Sequence, residues 1–436
     1  MAVRPRSAVA SALAVAMRDF GLGSQTVLKI GILAPLTGPL KAWALPGFNG
    51  SLIWVERINA AGGLKVGSRK YKLELIQFDT NYQPDLALQG ARKLIMEDGV
   101  KLILMIGGND LTAEVRRLIS QHRMLVATLL PSDLSPDVPT LVAPSEVHPI
   151  YNVTGVEWLR RKHPELKTAA LCAQRDLLGL PSIATYRAAF EAAGIELVAE
   201  RVFEPETSDF GPIVDELMAK KPDILCWDTA YEPFVHSLTI EAFKRGFRGR
   251  LLSCTCDNYP ELIRRTSVEF MEGFVFQFPD FDDPRLNDGH TNFEDPGKFY
   301  EEFCRRFPGT WSAVSWEYAS TLELWKSAVQ RARTFEPFSV LAAMKVGGIG
   351  PHAFGEARWW GKDLFGIDNA LVGEWPVVAI VDGKARIQEF GSIADWWSKH
   401  RSILVKHMRS MNLMWDQREH LAASAETLDR LTAQDS

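Results

Sequence analysis

The sequence predicts an α/β protein of two lobes, each organised around a parallel sheet, and three observations carry that reading. A chain of 436 residues is longer than one hydrophobic core usually serves. From Thr26 onward, short apolar runs alternate with longer segments of helical period, the pattern of β-α-β units. After Pro144 the same alternation begins again without any repeated sequence, so a second lobe follows the first.

The first series places strands at 27–34, 71–78, 101–106 and 124–128. Between them Phe48, Leu52, Val55 and Ile58 recur at helix spacing, as do Leu88, Ala91 and Ile95, so each crossover offers the sheet an apolar stripe. Right-handed crossovers are expected. The second series places strands at 168–173, 197–203, 223–227 and 250–254, with helices at 183–193, 210–219 and 234–245 that stop near Gly194, Pro222 and Gly246. Residues 280–296, rich in Asp, Pro and Asn, read as a surface loop. Helices at 297–306, 312–331 and 338–345 have no strand between them and are expected to pack back on the first lobe. Near the end, 377–381 and 385–387 flank Asp382-Gly383, a two-residue hairpin turn. Beyond Trp397 runs a helical tail with Lys399, Arg401, Lys406 and Arg409, read as a solvated charged face, with a partner surface as the alternative.

Composition narrows the function. Hydrophobic residues at 46% and charged residues at 24% are ordinary for a globular protein. The 49 basic and 54 acidic residues are spread along the chain for a net charge of −5, which leaves no footprint for nucleic acid. No stretch approaches the about 18 apolar residues that span a bilayer. Arg4 and Arg6 precede a small-residue run from Ala8 to Met17 ending in Ala14-Val15-Ala16, which reads as a short secretory signal cut off by Arg18; a non-native start is the competing reading. Of the five cysteines, Cys172, Cys226 and Cys254 sit in or at the end of apolar strands, where Cys acts as a small buried hydrophobe. Cys254 and Cys256 have no second pair nearby to complete a zinc site, and Cys304 stands alone.

Three segments in order carry a family resemblance: VLKIGILAPLTG at 27–38, INAAGG at 58–63, and KLELIQFDT at 72–80 followed by Pro84 and Ala87. Together with Gly361-Lys362-Asp363-Leu364-Phe365-Gly366 and Asp382-Gly383-Lys384, they make the chain resemble type I periplasmic binding proteins of the leucine/isoleucine/valine-binding family, over most of 27–388. The resemblance implies two Rossmann-like lobes with parallel sheets joined by a three-crossover hinge. It divides the chain into a signal or disordered N-terminus at 1–25, lobe 1 at 26–145 plus 278–350, lobe 2 at 146–277 plus 351–392, and the charged tail at 393–436. It implies a small-molecule ligand in the cleft, an ABC transporter permease as partner, a monomer, no cofactor and a periplasmic location; a cytoplasmic sensor or receptor domain of the same fold is the alternative. The physics agrees, because loops at the carboxyl ends of parallel strands converge with helix N-termini, and two such edges face to face enclose a solute.

Carried over residue by residue, the resemblance places Trp43 at the cleft after strand one, where packing is the plainer role. Asn109 and Asp110 replace the serines that hold a ligand carboxylate in amino-acid binders, although Asp110 suits a helix N-cap equally. Leu130 and Ser132 follow strand four, with Ser132 a turn cap otherwise. In lobe 2, Tyr231 matches a cleft tyrosine, or stands on the surface. Thr255 takes the place of the glutamate that binds the ligand ammonium, with Asp257 close enough in sequence to compensate. Asp176 and Leu178 replace a tyrosine and glycine. Trp43, Leu130 and Leu178 point to a less polar ligand, such as an aromatic or branched organic acid, an amide or an amino-acid-like molecule. No nucleophile elbow, zincin, Walker A or dinucleotide motif stands in a strand-turn-helix context. The nine histidines are dispersed, and the carboxylate pairs Glu301-Glu302 and Asp282-Asp283 read as solvent-facing, so no enzyme is expected and no metal site.

Overall fold

The computed structural model describes residues 26–418, apart from 39, 229–230, 288–290 and 292. The signal-like N-terminus and the end of the charged tail lie outside them.

Lobe 1 is a six-stranded sheet in the order β2-β3-β1-β4-β5-β6, with β1 at Thr26–Ala34, β2 at Leu64–Val66, β3 at Arg69–Asp79, β4 at Ile103–Met105, β5 at Val126–Thr128 and β6 at Leu141–Val142. Pairing is parallel except for β2 on β3. β1 is buried on both faces from Ile30 to Ala34, which is why its sequence is a continuous apolar run rather than an alternation. Helix α1 (Lys41–Ala60) follows it directly. Helices α2 (Pro84–Arg92) and α3 (Ala113–His122) make the next two crossovers.

Lobe 2 repeats the plan: α4 (Asn152–Lys162), β7 (Thr168–Gln174), α5 (Gly179–Ala193), β8 (Glu196–Phe203), α6 (Gly211–Met218), β9 (Ile224–Asp228), α7 (Glu232–Lys244), β10 (Arg250–Ser253) and β11 (Val275–Phe276). The chain then returns through α8 (Val314–Ala332) to lobe 1, where a Cβ on Gly50 of α1 would lie 1.8 Å from the Ser315 carbonyl oxygen. A three-stranded antiparallel sheet comes next, β12 (Ile349–His352), β13 (Gly355–Trp360) and β14 (Ala370–Val372). It joins the edge of lobe 1, with Ala143 bridging Ala370. Strands β15 (Glu374–Val381) and β16 (Lys384–Ser392) complete lobe 2 as a hairpin turned by Asp382 and Gly383, both at positive φ, giving the order β16-β15-β11-β10-β9-β7-β8.

One aromatic side chain from each crossover meets at the hinge. Tyr151 stacks on Trp375 at 5.1 Å, and Phe278 stands edge-on to Tyr151 at 5.2 Å and to Trp375 at 5.7 Å. The Trp375 indole N–H donates to the Gln277 carbonyl at 2.9 Å, so the knot is anchored to backbone as well as packed.

Two expectations for polar segments change. Asp283, read as solvent-facing, is buried and accepts the Ile387 N–H at 2.7 Å, which ties the 280–287 segment to β16. The expected solvated tail is a docked helix, α9 (Ile393–Ser410), whose Trp396, Trp397, Leu404 and Met408 are buried while Lys406 and His407 reach Glu191 of α5. Past it, Trp415 lies over Gly366, and the Arg418 guanidinium donates to the Ser132 carbonyl of lobe 1. The apolar stripe and not the charge count decides where an amphipathic helix goes.

Gly50→Ala is expected to destabilise the protein by about 2 kcal/mol, since the methyl must push two packed helices apart. A thermal unfolding midpoint unchanged from wild type would show that the two helices are not in this contact.

Candidate functional site

The cleft between the lobes is built from loops at the carboxyl ends of the strands, and three aspartates hold those loops in shape. Asp79, at the end of β3, accepts the Leu36 N–H at 2.9 Å, the Thr37 N–H at 3.2 Å, the Thr37 hydroxyl at 2.6 Å and the Asn81 N–H at 2.9 Å. Burial alone would raise its carboxyl, but those donors outweigh it and hold Asp79 below its ordinary value. The loop after β1 is thereby fixed to β3.

Asp133 does the same for the next two loops. It accepts the Gly108 N–H at 3.0 Å and the Thr128 hydroxyl at 3.1 Å, with Arg116 at 3.7 Å. Gly107 is required there: its φ is +100°, and a Cβ would sit 2.0 Å from the Asp133 carboxylate. In lobe 2, Asp176 accepts the Leu178 and Gly179 N–H groups at 2.9 and 2.8 Å, capping α5, and receives the Tyr231 hydroxyl at 3.2 Å. Burial raises the carboxyls of both Asp133 and Asp176.

The residues singled out from sequence lie in or beside the loops that follow the strands. Trp43, in the first turn of α1, and Tyr231, at the start of α7, come from opposite lobes and meet edge to face at 6.3 Å, only 3% and 6% exposed. Tyr231 is thus not a surface residue. Leu130 and Leu178 are buried, and Leu130 lies against Gly108. Asn109 is half-buried, its N–H donating to the Tyr82 hydroxyl at 3.4 Å. Ser132 is half-buried and Thr255 buried. Asp257 is half-buried; its backbone carbonyl pairs with the His236 ring at 2.9 Å and its carboxylate takes the Ala313 N–H.

Asp110 is not a helix cap, because Thr112 fills that position on α3, accepting the Val115 N–H at 3.2 Å. Its side chain is instead buried, with one oxygen taking the Thr80 hydroxyl at 2.8 Å and the other left without a partner. The lobes are drawn together here, since a Cβ on Gly108 would lie 3.7 Å from the Cβ of Leu177 in lobe 2.

Sequence reasoning missed Tyr82, Glu146 and Glu317. Glu317 had a signal: it shares the buried stripe of α8 with Val314, Thr321 and Leu324, where an acidic residue is out of place. Glu146 lies in the first crossover, with no periodicity to set it apart.

Two facing α/β lobes, a three-strand hinge and aromatic walls define a two-lobed binding protein. A family model described as periplasmic binding protein matches residues 27–384. The chain belongs to that family, in its type I, Leu/Ile/Val-binding branch. Among curated relatives it is 24% identical to a Leu/Ile/Val-binding protein, BraC3, of Rhizobium johnstonii over 219 residues, 49% of this chain and 58% of that protein. The chain therefore spans a little over half the length of that relative. Among solved structures it resembles an ABC transporter substrate-binding protein from Sphaerobacter thermophilus, with 20% identity, a TM-score of 0.67 and coverage of 84% of this chain and 98% of that one. It also resembles a solute-binding protein of an ABC transporter from Rhodopseudomonas palustris in complex with 3,4-dihydroxy benzoic acid, at 17% identity, a TM-score of 0.69 and the same coverage. At these identities the structures speak for the fold.

Burial pushes the Asp110 carboxyl up to about 7, against the Thr80 hydroxyl and with help from Asp133 and Asp79. Asp280 is pushed up to about 6, also by burial. Both carboxyls hold a proton more tightly in the folded state than in the unfolded one, so their favourable contribution is complete below the unfolded value and is lost as pH rises through the folded values. The midpoint of the ligand-free protein is expected to fall from about pH 5 to about pH 8, and Asp110→Asn to shrink that fall. A wild-type midpoint that climbs across this window would contradict the assignment.

Proposed function

We propose that this chain is the solute-binding component of an ABC transporter, which captures a small organic molecule between its lobes outside the inner membrane and presents the closed form to a permease. The observation that carries this reading is the pairing of Trp43 with Tyr231 from opposite lobes inside a buried cleft. Such a pair is made only when the lobes come together, so a solute seated against both rings gains contacts in the closed state that it lacks in the open one. That differential affinity is what drives closure. The apolar neighbours Leu130 and Leu178 support a ligand with an apolar or aromatic body. Among the described residues no helix is long and apolar enough to cross a membrane, in keeping with a component that meets its permease from outside the bilayer. Asp79, Asp133 and Asp176 at the cleft have hydrogen-bonded roles as loop organisers, which suits binding without chemistry on the solute.

A solute from a screening panel at 100 times its Kd should raise the midpoint through about 2.7 kcal/mol of added stability. Trp43→Ala and Tyr231→Ala are each expected to weaken that solute about tenfold, a loss of about 1.4 kcal/mol, with the fold intact by circular dichroism. Calorimetric affinities that stay at the wild-type value in both variants would remove the two rings from the site.

A further inference from the structure

Building on the solute-binding reading, we infer that the ligand is an organic cation with N–H donors and no carboxylate, an amine or guanidine on an apolar body, held by Glu146 and Glu317 at the hinge side of the cleft. Glu146 comes from the first crossover and Glu317 from the first turn of α8, next to Trp316, which touches the hinge through Phe278 and Trp375. Both glutamates are buried, at 1% and 0% exposure; both carboxylate oxygens of Glu317 lack a hydrogen-bond partner among the described residues, and Glu146 has only the Tyr151 hydroxyl within reach. Neither belongs to an ion pair among those residues, whereas surface carboxylates such as Glu302 and Asp215 do. Two buried carboxylates, with Glu146 acting on Glu317 and Asp257 acting on both, are costly to keep ionised, and a complementary charge supplied from outside removes the cost.

Other groups at the same place point the same way. The Tyr318 hydroxyl, also buried and without a partner, is within electrostatic reach of Glu317, Glu146 and the cleft residue Asp110, so it links the pair to the loop after β4. Asp110 contributes one more orphaned acceptor oxygen. The rings of Trp43 and Tyr231 attract a cation through their faces. Burial lowers His148 to about 3 and His352 to about 4, so neither serves as counter-ion at neutral pH. Arg116 is directed at Asp133 and Arg175 at Glu204, while Arg418 donates one nitrogen to the Ser132 carbonyl and keeps the other beside Asp133, so none of the three pairs with Glu146 or Glu317. The aromatic or branched acid suggested by the sequence fits this wall poorly. A metal ion fits no better, because no group of three His, Cys, Asp or Glu residues among those described converges in a way that could hold one.

The test is differential scanning fluorimetry at neutral pH with phenethylamine, isoamylamine, putrescine and agmatine against benzoate and leucine, followed by calorimetry on Glu146→Gln and Glu317→Gln. At least one of the amines or agmatine is expected to raise the midpoint, while benzoate and leucine do not. Glu317→Gln is expected to weaken the responding cation at least tenfold and, because an amide is cheaper to bury than a carboxylate, to raise the midpoint of the ligand-free protein. A merely structural Glu317 would leave the affinity alone. Benzoate or leucine raising the midpoint while every cation fails would overturn the charge assignment and leave the solute-binding reading standing. Unchanged cation affinity in both glutamine variants would also overturn it. Failure of every solute in a wider panel would sink the solute-binding reading and this inference with it.

Discussion

The aromatic knot of Tyr151, Phe278 and Trp375 is the constraint on which the arrangement of the molecule depends. Each ring belongs to a different crossover between the lobes, so one close-packed contact fixes where all three strands of the hinge pass. A core packed to crystal density deforms by discrete steps and not continuously, which suits the knot to be the pivot of the proposed closure. Stiff lobes on a fixed pivot convert a small solute into a large displacement of the cleft edges.

The loops at those edges are held by a division of labour among carboxylates. Asp79, Asp133 and Asp176 each spend their oxygens on backbone N–H groups and hydroxyls of the loop beside them. They behave as structural posts whose oxygens have donors, which outweigh burial at Asp79 but not at Asp133 and Asp176. Asp110, Glu146 and Glu317, and with them Asp228 at the end of β9, differ because the fold leaves some or all of their oxygens without hydrogen-bond partners among the described residues. The contrast matters more than the number of acidic residues, since a satisfied carboxylate describes a loop and an unsatisfied one describes something the loop receives.

Much of the fold was legible in the sequence because its causes are local. The apolar run of β1, the helix spacing of Phe48 to Ile58 and the Asp382-Gly383 turn each follow from burial or backbone preference acting within a few residues. The sheet formed by β12, β13 and β14 was missed, since its strands are short and interrupted by Pro351 and Gly355, and its pairing with Ala143 bridges more than two hundred positions. The tail beyond Trp397 was misjudged because its charges were read before its buried stripe of Trp396, Trp397, Leu404 and Met408. At the cleft, Trp43 and Tyr231 followed from family resemblance, while Glu146 and Glu317 come together only through the crossovers, a tertiary fact that spacing does not encode. The capping role that was the alternative reading of Asp110 falls to Thr112, two positions on, a distinction no propensity scale resolves.

The proposed function requires the lobes to close about this hinge upon a bound solute. Small-angle X-ray scattering of the protein with and without a solute that raises its unfolding midpoint tests it most directly. The account predicts that the bound protein scatters as the closed structure described above and that the ligand-free protein has a larger radius of gyration. Two superimposable curves, with binding confirmed in the same samples, would contradict it.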